Sequence, residues 1–272
     1  MLAKTEAIAL RITPFSNTSH VVSWFTPQSG RISTLIKGAQ RSKSYFLGHY
    51  DLFYTCEIVY YVRSASTLYI LKECAPLKMR NGLRDSWAAS VCASYLCDLI
   101  GRICPQDAPH LAIYHVLAQT LDALAGAGAQ VDGALILWFE LRMLAELGIA
   151  PQMTHCAICG KDMLYHRRAP TAFSFPHGGT LCEQCAPDEA KIAVRLTPDA
   201  VAILRAWQTA PSWRSALRSK STRLQFQIVA TALGLFLNYH LDTMPVSRKI
   251  ALSLLNGESA IRATGKARGS LT

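Results

Sequence analysis

The sequence predicts an α+β fold in which a small N-terminal β-barrel is followed by an α-helical domain with an inserted four-cysteine zinc ribbon. Three observations predict it. Residues 1–78 alternate apolar and polar side chains with the period of strands, whereas residues 79–255 mostly have the period of helices. Two C-x-x-C pairs interrupt the helical part. Of the 272 residues, 50% are hydrophobic, which is enough for cores in two or three domains.

The barrel is predicted from a series of short strand-like runs with no helical pattern between them. A series of this kind, in a compact segment, is typical of a small closed or partly open barrel. We expect an OB-fold, and an SH3-like barrel is the alternative that the sequence leaves open. The five runs are residues 5–12, 19–26, 31–36, 52–62 and 67–74.

The helical part of the sequence begins after Pro76. Leu83, Trp87, Val91 and Tyr95 recur at every fourth position and so lie on one face of a helix. Periodicity, N-cap residues and terminal glycines predict the later helices in the same way. They are expected at residues 108–124, 133–147, 197–207, 222–241 and 247–255.

These patterns divide the chain into segments. Residues 1–78 are the barrel, and residues 79–150 and 191–255 are the two parts of one helical domain. The cysteine module occupies residues 151–190 between those parts. The polar residues 256–272 are expected to be a flexible tail.

The sequence predicts neither a membrane span nor export. Residues 224–241 carry no charge, but side chains such as Gln227 and Thr231 favour a buried helix. The start of the chain, Met1-Leu2-Ala3-Lys4-Thr5-Glu6, lacks the apolar stretch of an export signal. We therefore expect a cytoplasmic protein with reduced cysteines.

The cysteine module has the spacing of a structural metal site. Cys156 and Cys159 form one C-x-x-C pair, Cys182 and Cys185 form the other, and 22 residues separate them. Four thiolates in this arrangement close a tetrahedron around Zn²⁺ and leave no position for a catalytic water. We expect one structural Zn²⁺ per chain, whose binding supplies folding energy that so small a module lacks.

Other interpretations of these cysteines are weaker. Two disulfides need an oxidising compartment, and a thioredoxin-like redox pair needs a βαβ pattern that the sequence does not have. His155, His166 and His177 lie nearby, and we interpret them as residues outside the ligand set because four cysteines are present.

The net charge of +10 is unevenly distributed along the chain. Residues 1–80 have a net charge of +6, residues 81–190 of −5 and residues 191–272 of +9. Basic ends of this kind favour an anionic partner, most simply nucleic acid, although a merely solvated basic surface is the alternative. In the second basic part the candidate contacts are Arg195, Arg214, Arg218, Lys220 and Arg223.

A basic loop follows the third predicted strand. Lys37, Arg41 and Lys43 stand close together in it, among glycine and serine residues that allow contact with phosphates. Arg11 and Arg31 are weaker candidates for the same role. Aromatic side chains near the loop are candidates for stacking on bases, although we expect Trp24 in the core. The aromatic candidates are Trp24, Tyr45, Phe46, Tyr50 and Tyr54.

Three features together resemble the bacterial DNA-repair family RecO. The first is the barrel with the segment Lys37-Gly38-Ala39-Gln40-Arg41-Ser42-Lys43-Ser44. The second is the pair of C-x-x-C motifs, with Gly178-Gly179 before the second one. The third is Tyr239-His240-Leu241, followed by Ser247-Arg248-Lys249. The resemblance covers residues 1–255 in consistent order and departs from the family pattern at Gln40, where a basic residue is common.

The resemblance implies a mediator of recombinational repair. Such proteins bind single- and double-stranded DNA and anneal complementary strands. They act with RecR and with the acidic C-terminal tail of single-strand-binding protein to help load RecA, and they would associate with the nucleoid. Some members lack the cysteines, which supports a structural metal. We also expect a groove for the acidic tail in the helical domain.

We expect no enzyme, because the scattered histidines and sparse carboxylates form no catalytic constellation. A zinc-ribbon enzyme acting on nucleic acid and a protein–protein adaptor without DNA contact are the alternative functions. Strand cleavage or nucleotide hydrolysis would identify the first, and lack of binding to oligonucleotides the second.

Overall fold

A computed structural model describes residues 1–62, 67–128, 130–163, 170–187, 193–242 and 245–255. The predicted tail, residues 256–272, therefore lies outside the described residues, as does His166. The described chain begins with five strands, continues with helices, passes through a small three-stranded sheet and ends in helices.

The N-terminal strands form a closed barrel with the order β1-β2-β3-β5-β4. This is the strand order of an OB-fold, so the predicted OB-fold is confirmed and the SH3-like alternative is set aside. All neighbouring pairs are antiparallel except β3 with β5, which closes the barrel in parallel through Thr34 and Leu35. The strands are β1 (Leu2–Ser16), β2 (Ser19–Thr26), β3 (Gly30–Ile36), β4 (Thr55–Tyr61) and β5 (Tyr69–Lys78).

Alternation along the strands separates the barrel interior from the outside. On β3, Ile32, Thr34 and Ile36 are fully buried, whereas Arg31 and Leu35 are only partly covered. This period of two is what the sequence pattern predicts for strands with one buried face. A second core fills the other side of the barrel wall, where Ile8, Leu10 and Phe25 join the core of the helices.

The helices on both sides of the cysteine module share that second core, which includes Trp138 and Trp207. Ser86 adopts an extended conformation and its side chain accepts a hydrogen bond from the Ala89 N–H, so the first predicted helix is broken there. The helices are α1 (Gly82–Asp85), α2 (Trp87–Ile103), α3 (Leu111–Gly126), α4 (Gly133–Glu146), α5 (Pro198–Thr209), α6 (Trp213–Ala216), α7 (Arg223–Leu241) and α8 (Val246–Leu255).

The cysteine module is built on a three-stranded antiparallel sheet with the order β7-β6-β8. It comprises β6 (Thr171–Ser174), β7 (Gly179–Leu181) and β8 (Ala193–Leu196). The module is attached to the helices by packing of Phe173 on Phe236 and by a hydrogen bond between Gln208 Nε2 and the Pro151 carbonyl. The cysteine module is therefore attached to α5 and α7.

Close backbone contact joins the barrel to the loop between α2 and α3. Gly30 has φ +57°, and a Cβ atom at this position would lie 2.0 Å from the Ala108 carbonyl oxygen. The Arg31 N–H donates to the Pro105 carbonyl at 3.4 Å. Only glycine fits at position 30, and the contact sets the position of β3 relative to α2.

Of the helices that the structure describes, none has the length and apolar character to cross a membrane.

Candidate metal centre and nucleic-acid surface

The four predicted zinc ligands lie together in the structure. The Sγ atoms of Cys156, Cys159, Cys182 and Cys185 are all within 4.8 Å of one another, and those of Cys159 and Cys182 are 3.7 Å apart. Four thiolates about 2.3 Å from a central Zn²⁺ would stand about 3.8 Å from each other. The cluster therefore has the dimensions of a tetrahedral four-sulfur metal site.

Each C-x-x-C pair lies in a tight turn that presents both sulfur atoms on one side. In the first turn, the Gly160 N–H donates to the Cys156 carbonyl at 2.9 Å, and Gly160 has φ +73°. In the second turn, the Cys185 N–H donates to the Cys182 carbonyl at 3.1 Å. Sequence spacing predicts both turns because two residues between the cysteines leave only a short reversal of the chain.

Backbone N–H groups favour the thiolate form of two of these cysteines. Burial alone would raise the pKa of Cys156, but N–H groups of Cys159, Cys182 and Ile158 lower it to about 6. At Cys182 burial also raises the pKa, but the N–H groups of Cys185 and Gln184 lower it by more, so the pKa of Cys182 is lowered as well. The neighbouring sulfur atoms, Cys182 first, instead raise the pKa of Cys185 to about 12. Without a metal ion the site therefore stabilises the thiolate, the form that binds metal ions, at Cys156 and Cys182.

The histidines near the cluster have other contacts. His155 Nδ1 lies 3.0 Å from the Thr154 hydroxyl, and His177 Nδ1 lies 3.0 Å from the Ser174 hydroxyl. Neither belongs to the cluster of sulfur atoms. The donor set is four soft sulfur ligands with no open position, which suits a structural metal ion and not one that activates water.

The basic loop, residues 37–43, projects from the end of β3 and is held at its base. The Gln40 N–H donates to the Thr18 carbonyl at 3.0 Å, and the Gln40 amide lies 2.6 Å from His20 Nε2. Gln40 thus anchors the loop to β2 and to the turn that precedes it. Gly38 allows the turn, with φ +68°.

The three cations of the basic loop are exposed, so their charges are accessible to an anion. Lys37, Arg41 and Lys43 have no ion pair within the part of the chain that the structure describes. Some other cations are ion-paired, such as Lys4 of β1 with Glu57 at 2.8 Å and Arg84 of α1 with Asp51. An anionic partner therefore meets three free charges at one end of the barrel.

The structure separates the aromatic candidates. Trp24 is fully buried and its Nε1 donates to Thr34 Oγ1 at 2.8 Å, so the prediction that it belongs to the core is confirmed. Tyr54 is also buried, and Tyr50 is hydrogen-bonded to His20. Phe46 packs against the barrel core. Tyr45 is 67% exposed beside the basic loop, and it alone of the five presents an open ring.

The remaining basic candidates lie in three places. Arg11 and Arg31 are not part of the loop, because both line a cleft between the barrel and α2. Arg102 of α2 lines the same cleft, although no pattern in the sequence distinguishes it from other helix-surface arginines. The basic candidates of the helical part lie around α6 and the start of α7, except for Arg195, which lies on β8. The group near α6 and α7 is Arg214, Arg218, Lys220 and Arg223.

Comparison with known proteins matches most of the chain to one family. Two family models match, Recombination protein O N terminal over residues 1–80 and Recombination protein O C terminal over residues 84–249. A protein of Rhodopirellula baltica named DNA repair protein RecO is 31% identical, with 68% of each chain covered. The protein of that name from Dehalococcoides mccartyi is 26% identical over 89% of this chain and 92% of its own length.

Proposed function

The chain belongs to the recombination protein O family, and on that premise we propose that it is a DNA-binding mediator of recombinational repair. We propose further that it anneals complementary strands and helps to load a recombinase on single strands coated with single-strand-binding protein. The observation that carries the proposal is the group of three unpaired cations on the basic loop of an OB-fold.

The basic loop supports annealing by neutralising phosphates. Lys37, Arg41 and Lys43 extend from a glycine-containing turn, so their side chains can follow a flexible backbone. Two strands repel each other until cations screen their phosphates, and screening needs no general base, nucleophile or metal-bound water. We therefore propose a non-enzymatic action at the nucleoid, on both single- and double-stranded DNA.

Tyr45 adds a surface for bases beside these charges. Its ring lies edge-on to Phe46 and His49, with centroid distances of 5.8 and 5.0 Å, which leaves its outer face exposed. Base stacking on an exposed aromatic ring tolerates any sequence. Sequence-independent binding is what a mediator that acts on any damaged site requires.

For the metal centre we propose Zn²⁺ in a structural role. The four cysteines would hold it in a closed sulfur shell, where it supplies folding energy to the small sheet β6–β8. The sheet packs on α5 and α7, so the metal stabilises the helical domain at a distance from the barrel.

For the acidic tail of single-strand-binding protein we propose a groove between α7 and α8, of about 780 Å³. Leu235 and Leu252 supply apolar surface, and Lys249 is an exposed cation at its edge. A cation beside an apolar groove suits a peptide that ends in an apolar residue and a carboxylate. RecR is proposed as a second partner on the basis of family membership alone.

An annealing assay tests the proposed function. Two complementary oligonucleotides coated with single-strand-binding protein are mixed with the wild type or with the triple variant Lys37→Ala, Arg41→Ala and Lys43→Ala. The wild type should accelerate annealing, and the triple variant should lose most of the acceleration. Equal rates would rule out the loop, and no acceleration by the wild type would rule out annealing. Cleaved strands or hydrolysed nucleotide would instead favour an enzyme.

A further inference from the structure

A cleft of about 530 Å³ lies where the barrel meets α2. Three arginines and a single aspartate contribute to its lining, which gives its charged side chains a net charge of +2. We call it the junction cleft, and its charged residues are Arg11, Arg31, Asp98 and Arg102. Its volume is within the range of about 300–1,000 Å³ that is usual for ligand sites.

A β-bulge directs Arg11 into the junction cleft. Ala7 and Ala9 face the barrel interior, so strict alternation would place residue 11 inside as well. The register of β1 against β2 shifts between Ala9 and Arg11, and Ile12 instead packs on the interior. Arg11 consequently joins Leu10 on the outer face, as expected where a bulge re-aims a side chain.

Arg31 contributes an unused donor from β3. Its Nε atom is buried, and no hydrogen-bond partner reaches it among the described residues. Neither Arg31 nor Arg11 has an ion pair in those residues. A buried guanidinium N–H without a partner is costly, and a bound anion would satisfy it.

The opposite wall is held by α2. Arg102 Nε donates to Asp98 Oδ1 at 2.9 Å, and Asp98 Oδ2 accepts from the Ser247 hydroxyl at 2.8 Å. Both carboxylate oxygens of Asp98 therefore accept a hydrogen bond, and Asp98 holds Arg102 in position. Between the walls, Leu10 and Phe53 are buried and form an apolar floor.

We propose that the junction cleft binds one nucleotide of a DNA strand, with its phosphate on Arg11, Arg31 and Arg102 and its base on the apolar floor. This inference rests on the proposed function and adds a DNA contact to it. Nucleic acid fits better than an acidic peptide because Arg31 lies on the outer face of β3, which continues to Lys37. The six residue steps from Arg31 to Lys37 span about 20 Å at the rise of a strand, so a single DNA strand can contact both places.

The test uses thymidine 3′,5′-bisphosphate, which is too short to extend from the junction cleft to the basic loop. Its binding to the full chain is followed by phosphorus NMR at low salt. The wild type should bind it, and Arg31→Gln and Arg11→Gln should each weaken binding at least about tenfold. Arg11 is exposed, so its variant removes the charge without disturbing a core.

Arg102→Gln and Arg142→Gln form a matched pair for the same titration. Each arginine is ion-paired with a carboxylate four residues away on a helix, Arg102 with Asp98 and Arg142 with Glu146. Only the first lines the junction cleft, so only Arg102→Gln should weaken binding. Lys4→Ala, which removes a barrel cation that is paired with Glu57 and does not line the cleft, should leave binding of the bisphosphate unchanged. Lys37→Ala shows how much of the binding belongs to the basic loop.

Three results would overturn the proposal. The first is that the wild type does not bind the bisphosphate at about 10 mM. The second is that Lys37→Ala loses binding and Arg31→Gln does not. The third is that an acidic peptide binds more tightly than the nucleotide. Failure of the proposed function would look different, because long single strands would then not bind the wild type, whatever the bisphosphate does.

Discussion

Arg248 and Glu140 form a two-fold hydrogen-bonded ion pair inside the helical domain. Arg248 Nε and Nη2 donate to the two carboxylate oxygens at 2.8 and 2.9 Å, and both side chains are buried. Tyr95 donates its hydroxyl to the same carboxylate at 2.6 Å. The pair ties α8 to α4, while Ser247 ties it to Asp98 of α2.

We predict that Arg248→Met lowers the free energy of unfolding by about 3–5 kcal/mol, because Glu140 is left as an unpaired buried charge. Glu140→Gln combined with Arg248→Met should lose less, since no charge remains and the amide oxygen still accepts from Tyr95. Urea unfolding measures both. Arg142→Met, at an exposed ion pair, should cost at most about 1 kcal/mol. A double variant no more stable than Arg248→Met would contradict this account.

Metal removal should loosen the cysteine module and the helices on which it packs, and it should leave the barrel folded. Elemental analysis should find one Zn²⁺ per chain in the wild type and none in Cys156→Ser. The variant should keep the β-strand contribution to its circular dichroism and should still bind DNA, because the barrel stays folded. Cys92→Ser is the control, because Cys92 is buried on α2 far from the cluster in sequence and should leave the zinc content unchanged. Unfolding of the barrel on loss of the metal would show that the module is not separate.

Proton competition should release the metal only in acid. The pKa of Cys156 is lowered to about 6, so its thiolate is favoured above that pH and is lost as the pH falls through it. This value is that of the metal-free thiol, and a bound Zn²⁺ opposes protonation of its ligands. We therefore expect Zn²⁺ to remain bound at neutral pH and to be released only at a pH below that value. A chromogenic chelator measures the release, and full release at neutral pH would be inconsistent with a stabilised thiolate.

The close backbone contact between β3 and the loop after α2 should tolerate no side chain at position 30. Gly30→Ala should cost more than about 3 kcal/mol, because its Cβ atom would lie 2.0 Å from the Ala108 carbonyl oxygen. Gly48→Ala is matched, since Gly48 also has positive φ but no atom within 4 Å of the added Cβ. It should cost only the backbone strain of about 1–2 kcal/mol. Equal midpoints of thermal unfolding would refute the close contact.

Tyr45→Ala should weaken binding of single strands by about 1–3 kcal/mol, the usual contribution of one stacked base. Tyr61→Ala is the control, because Tyr61 is an exposed tyrosine of β4 at 42% exposure, away from the basic loop in sequence. Fluorescence anisotropy with a labelled oligonucleotide compares the two. A larger loss in the control would remove Tyr45 from the site.

Local patterns predict much of this protein. The spacing of Cys156, Cys159, Cys182 and Cys185 is enough to predict the metal cluster, because two tight turns determine where the sulfur atoms lie. Alternation predicts the barrel strands for the same reason, since each pattern depends on neighbours in sequence. The exposed basic loop also follows from its glycine and its charges.

Contacts between distant residues could not be predicted in this way. The bulge that directs Arg11 outward depends on pairing of β1 with β2, and alternation gives the opposite direction. Arg102 has the sequence context of an ordinary helix surface, and only the packing of α2 on the barrel brings it to Arg31. Short elements such as α6 and β8 are also too brief for periodicity to reveal.

The most direct test of the central claim is the salt dependence of single-strand binding. The triple variant of Lys37, Arg41 and Lys43 is compared with the triple alanine variant of Lys4, Lys72 and Arg84, which loses the same charge from cations paired with Glu57, Glu73 and Asp51. At about 0.7 per phosphate, the loop variant should lower the magnitude of the log–log slope by about 2, and the control should leave it nearly unchanged. Equal slopes in the two variants would contradict the account, because binding would then depend on net charge and not on the basic loop.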